Sequence, residues 1–148
     1  LDVCCLNRPF DAQRQTRIRL ESEAVTLILD RIDAGDWRLL SSEMVRVEVA
    51  AMTDVERRRR VEALFAAADD TIALTEGVFR RAAGLMKKGF KAADALHIAS
   101  AERLSADVLL TCDDRLIRRG RLNRKELRVA IFDPVSWLGE VSDASNLG

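Results

Sequence analysis

The sequence lacks an excess of either charge, a long apolar run, and all but one histidine. Lysine plus arginine and aspartate plus glutamate each number 24. Overall charge therefore announces no nucleic-acid partner, and such binding would have to rest on local arginine patches. No apolar stretch approaches the ~18 residues of a membrane span, and no signal peptide is expected. The three cysteines, Cys4, Cys5 and Cys112, are odd in number and two are adjacent, which excludes a disulfide framework. That spacing, with His97 as the single histidine, predicts no zinc site. Each cysteine lies beside an expected strand and reads as a small buried hydrophobe in a reducing, cytoplasmic setting. There is neither an internal repeat nor a low-complexity linker.

What is present suits a globular chain. The 148 residues are 48% hydrophobic and 32% charged, enough for one domain, 1–148, with a full core. The chain opens on Leu1 rather than methionine, and a few preceding residues are expected to begin the first strand.

The most informative stretch is Lys91 to Asp114. Ala92 to Leu104 is apolar nearly all round a helical wheel, which predicts a buried helix. Asp94 shares a stripe with Ile98 and Ala101, so its carboxylate points inward, where a charge needs a partner or a metal. The simpler role of Asp94 is to complement the helix dipole. Val108 to Thr111 reads as a strand covered on both faces. Asp113 and Asp114 follow, and Asp113 alone reads best as an N-cap. A helix folding back on its strand brings Asp94 and Asp113 to the strand's carboxyl end, where open α/β sheets place their ligands.

Elsewhere, helices and strands alternate. Leu1 to Leu6 is β-type with Asp2 inside it, unusual because strands deplete aspartate. Ala12 to Ala34 is a helix stopped by Gly35, its charged first half reading as a solvated face. Trp37 to Leu40 predicts a strand, and Ser41 or Ser42 caps a helix from Glu43 to Met52. On that helix Glu48 falls within an apolar arc of Met44, Val45, Val47, Val49, Ala51 and Met52. A carboxylate there is costly unless paired or metal-bound. Helix continues from Thr53 to Asp69, with Arg57 to Arg60 as a solvated surface. Thr71 to Leu74 is a strand, and Thr75 caps a helix ending near Gly89. Arg115 to Lys125 is basic and begins beside Asp113, so Arg115, Arg118 and Arg119 are candidates for a phosphate-bearing substrate. Val129 to Phe132 is the last strand, a terminal helix follows, and Asp143 to Gly148 is expected to fray.

Asp2, Glu48, Asp94 and Asp113 thus sit at strand ends, helix starts or core-facing stripes of a parallel α/β sheet. Together they would repel unless a cation neutralised them. Hard oxygen donors suit Mg²⁺ or Mn²⁺, and the natural chemistry is metal-assisted phosphodiester hydrolysis.

The ordered segments LDVCCLN, SSEMVRVEVA, KAADALHIASAERL and DVLLTCDD resemble PIN domains, especially VapC-like toxin ribonucleases of toxin–antitoxin pairs. The resemblance runs over nearly the whole chain. It implies a three-layer α/β/α sandwich around a parallel sheet of about five strands. It implies an RNA substrate, one or two Mg²⁺ or Mn²⁺ ions, a homodimer, and an antitoxin whose Arg or Lys fills the acidic site. Asp2, Glu48, Asp94 and Asp113 match the family's acids, Thr111 its frequent Ser/Thr, and Asp114 is a possible accessory ligand. The double cysteine after Asp2 departs from the commonest pattern. His97 is read as packed and hydrogen-bonded. Alternatives are a housekeeping PIN nuclease of RNA processing, a non-catalytic RNA- or protein-binding PIN-like module, and a phosphotransfer domain. The complete acid quartet disfavours the last two.

Overall fold

The computed structural model describes residues 1–146. Asp2 is extended and caps α1 (Val3–Asn7), its carboxylate accepting from the Cys5 N–H. The expected strand Leu1 to Leu6 is therefore a helix. Capping chemistry overrides the β-type composition, because an aspartate satisfies an otherwise orphaned N–H of the first turn. Only the Asp2 N–H joins a strand, donating to the Leu110 carbonyl at 3.0 Å.

A 3-10 turn at Arg8–Phe10 leads to α2 (Thr16–Asp33), which starts later than Ala12 and ends before Gly35, a residue with φ of 79°. β1 (Leu40–Ser42) begins where the expected strand ends, and α3 (Glu43–Ala50) follows without a loop. Then come α4 (Val55–Phe65), β2 (Asp70–Ile72), α5 (Glu76–Met86) and α6 (Ala92–Arg103). The Thr75 hydroxyl caps α5 as the sequence predicts. β3 (Val108–Leu110), α7 (Asp114–Leu122), β4 (Ala130–Phe132) and α8 (Pro134–Asn146) complete the order. The expected fraying is not seen from Asp143 to Asn146, and Leu147 and Gly148 lie outside the described residues.

All strand pairing among the described residues is parallel, in two separate pairs: β1 with β2, and β3 with β4. The α/β class holds, but the five-stranded central sheet does not. With Val3–Asn7 helical, no strand among the described residues pairs with both β1 and β3, and residues of the two strands line a common cavity of about 400 Å³. Successive β3 residues alternate: Leu109 packs with α5, α6 and α7, while Leu110 packs with α1 and α2. Helices thus cover both faces, as a side-chain period of two requires. Ala95, Ile98 and Ala99 place α6 at the centre of the larger cluster. Gly120 lets α7 lie close on β4, since a Cβ there would sit 2.9 Å from Ile131 Cδ1.

Candidate active site

Three of the four predicted acids stand at helix starts. Asp2 caps α1, Asp94 lies in the first turn of α6, and Asp113 caps α7 directly after β3. Glu48 is on α3, one element after β1.

Asp2 is buried at 8% exposure. Its Oδ1 accepts from the Cys5 N–H at 3.1 Å and the Cys4 thiol at 2.8 Å. Burial, then the neighbouring Cys4, pushes its carboxyl up to about 7, against the Thr111 hydroxyl and the Cys5 N–H. Asp94 is half-buried and, among the described residues, makes no hydrogen bond or ion pair. Burial first, and then the charge of Asp113, holds it above the usual carboxylate range; Asp2 adds to the repulsion while His97 and Lys91 oppose it. Asp113 uses Oδ1 to accept from the N–H groups of Arg115 (2.8 Å) and Leu116 (3.4 Å). Its capping role is confirmed, and the second oxygen stays outside that cap.

Glu48 Oε1 lies 2.9 Å from His97 Nε2. Burial disfavours the charged ring, but the Glu48 hydrogen bond and charge, with Asp2 and Asp94, raise His97 above its ordinary value. His97 is packed and hydrogen-bonded as expected, with a site acid as its partner. The apolar arc around Glu48 is a correction. Val45 and Val49 are buried, Val47 is 53% exposed, and the Glu48 side chain is 30% exposed. The eight-residue α3 turns only one narrow face inward.

Other expected site residues separate. Asp114 is engaged by Arg17, which clasps both its oxygens at 2.6 and 2.7 Å. Arg17 also binds Glu21, which is 3% exposed and bound in turn by Arg8. The first half of α2 is a largely exposed face, as expected, except at Glu21, which is buried between the two arginines. Arg57 pairs with Asp11, and Arg60 pairs with Glu56 while covering the Phe10 ring. Arg115 remains exposed with Nε 3.9 Å from Asp113. Arg118 is exposed, whereas Arg119 lies over Gly89. Thr111 is fully buried, and its Oγ1 accepts from the Asp113 N–H at 3.1 Å.

The sequence reading missed a cluster of sulfurs. Among the described residues, the only three Cys, His, Asp or Glu donor atoms all within 4.8 Å of one another belong to Cys4, Cys5 and Cys112. The three acids Asp2, Asp94 and Asp113 are thus neighbours by field, not by contact. Cys5 and Cys112 sulfurs are 3.6 Å apart, and Cys4 Sγ accepts from the Cys112 N–H at 3.1 Å. Hydrogen bonds from Cys4 and Cys5 lower the Cys112 thiol to about 5. No linear spacing rule announces partners more than a hundred residues apart.

The acids fit a hard divalent cation on two grounds. All donors are oxygens, and Asp94 is a partly buried carboxylate that forms no ion pair among the described residues, Lys91 acting on it only through space. Parallel strands covered by helices, with acids gathered beside the β3 carboxyl end, define an α/β protein with an acidic site. A family model, the PIN domain, matches residues 16–122, and the chain belongs to that family. The match covers Glu48, Asp94 and Asp113 but begins after Asp2. PIN domains are generally nucleases that use divalent metals. No curated protein and no solved structure matches the chain.

Proposed function

We propose that this protein is a Mg²⁺- or Mn²⁺-dependent ribonuclease whose cation is held by Asp2, Glu48, Asp94 and Asp113. The observation that carries this is the unpartnered Asp94 carboxylate in the repulsive field of Asp113 and Asp2. A surface acid would be solvated, and a structural one would have a basic partner.

When bound, such a cation supplies an activated water and neutralises charge on the phosphate. The chain's own residues do the rest. His97 holds Glu48 from α6 at 2.9 Å, fixing a carboxylate that its own helix leaves partly exposed. The α7 cap fixes one oxygen of Asp113 and leaves the other for the site. Exposed Arg115, beside Asp113, is placed to meet a substrate phosphate, with Arg118 one turn further on. Arg119, turned onto Gly89, serves that role less well. Within this reading the whole chain is one nuclease unit, working as the toxin of a toxin–antitoxin pair and as a homodimer; the ordered resemblance of its segments supports this.

The test is cleavage of a mixed RNA pool by wild type and Asp94→Asn, with Mg²⁺, Mn²⁺ or EDTA. Cleavage by wild type alone, abolished by EDTA, is expected. Full activity of Asp94→Asn, or cleavage that persists in EDTA, overturns the assignment.

A further inference from the structure

Three thiols meet where the chain's two ends of the site come together. Cys4 and Cys5 come from α1, and Cys112 follows β3. Their sulfurs lie within 4.8 Å of one another, and the Cys5–Cys112 separation is 3.6 Å. Tetrahedral coordination with metal–sulfur bonds of about 2.3 Å needs sulfur–sulfur edges of about 3.8 Å. The observed cluster therefore needs only small side-chain adjustments to reach it. All three cysteines are free.

Packing alone does not require this arrangement. Cys5 and Cys112 share an apolar cluster with Val25, Ile28 and Leu110, and Cys4 packs against it, yet the three sulfurs also face each other and polar atoms. Cys4 Sγ donates to Asp2 Oδ1 at 2.8 Å, accepts from the Cys112 N–H, and lies 3.6 Å from Thr111 Oγ1. An N–H aimed at sulfur is the support that structural metal sites give a thiolate ligand. Cys5 and Cys112 are buried and Cys4 is partly exposed, so the cluster has a protein-side base and an open rim.

We propose that Cys4, Cys5 and Cys112 form a second metal site, for a thiophilic cation of the Zn²⁺ class, with Asp2 as the nearest oxygen donor for a fourth position. Soft sulfur donors select this class over Mg²⁺ and Mn²⁺. Binding releases to solvent whatever thiol protons the three cysteines still carry and forms three metal–sulfur bonds, with no change of oxidation state. The site clamps α1 to the end of β3. It also draws on Asp2, so a thiophilic cation and the hard cation compete for one carboxylate; that competition, unlike the thiol site itself, rests on the nuclease reading.

The probe is Cd²⁺, titrated into reduced protein while the ultraviolet sulfur-to-cadmium charge-transfer band is recorded. One Cd²⁺ per chain with this band is expected for wild type and for Asp94→Asn. Cys112→Ser is expected to lose the band, and Cys4→Ser to weaken binding at least several-fold; a thermal melt of each variant verifies its fold. Wild-type thiols should also become resistant to a disulfide-exchange reagent once Zn²⁺ is added. Absence of the band in wild type, or a band unchanged in Cys112→Ser, overturns the site. A wild type that shows the band yet cleaves no RNA would sink the nuclease reading alone. A wild type that cleaves RNA but shows no band would sink the thiol site alone.

Discussion

Glu48 Oε1 and His97 Nε2 stand 2.9 Å apart, joining α3 to α6 one turn along from Asp94. Glu48 needs this tie because its helix is short and leaves its side chain partly exposed. His97→Ala should therefore lower RNA cleavage about 10–100-fold, the usual cost of removing a group that orients a metal ligand. The loss should appear as a higher Mn²⁺ requirement, and His97→Gln, which keeps a donor, should recover part of it. A Mn²⁺ titration of cleavage rate checks both.

Asp94 repels Asp113 and Asp2, and among the described residues it has no ion pair of its own, only the through-space pull of His97 and Lys91. A divalent cation should then stabilise the fold by relieving that repulsion. At a concentration roughly 100-fold above its Kd it contributes about 2.7 kcal/mol. Calorimetric melts should show the wild type gaining several degrees in Mn²⁺ and Asp94→Asn gaining little. An equal gain in both would place the cation elsewhere.

Asp2 titrates at about 7 in the fold, against an ordinary 3.8. A carboxyl raised by folding binds protons more tightly in the folded state, so its contribution to stability is present below about pH 4 and is lost as pH rises through 7. In metal-free buffer, Asp2→Asn and wild type should be nearly equal in stability near pH 4. The variant, whose amide oxygen can still accept from the Cys5 N–H, should be the more stable at pH 8. Urea unfolding across that range gives the difference directly.

Glu21 is buried between Arg8 and Arg17, with contacts of 2.6 and 2.8 Å. Glu21→Ala should destabilise the chain by about 2–3 kcal/mol, the range for charged hydrogen bonds whose arginine partners retain some solvent. The variant should also free Arg17 from one of its three anchors, Glu21, Asp114 and the Cys112 carbonyl, and loosen its grip on Asp114. Denaturant melts measure the first effect, and increased proteolysis near the start of α2 the second.

Sequence patterns were informative where a single element decides the outcome. The all-round apolar wheel of Ala92 to Leu104 became the central helix, Val-Leu-Leu became a strand covered on both faces, and Thr75 and Asp113 became caps. They failed where one side chain outweighs composition, as at Asp2, whose capping bond turns a β-type run into a helix. They also failed where the partner is remote. Glu21 looks like one more charge on a polar helix until Arg8 folds over it, and Cys112 has no visible relation to Cys4 until β3 meets α1. Asp114 looked like a ligand because the Arg17 that occupies it lies 97 residues away.

The cavity between β1 and β3 has a mechanical meaning. Its walls come from β1, from β3 and from His97, Ser100 and Ala101 of α6, the helix that touches both strands. No backbone ladder crosses the gap among the described residues, so the two halves are coupled through α6 and α1 rather than through a continuous sheet. A small rocking of one half against the other would change the distance from Glu48 to Asp113 while leaving every strand pair intact. The two strand pairs are in this sense plates hinged by helices, and under the nuclease reading a cation that held Glu48 and Asp113 together would also set the angle between them.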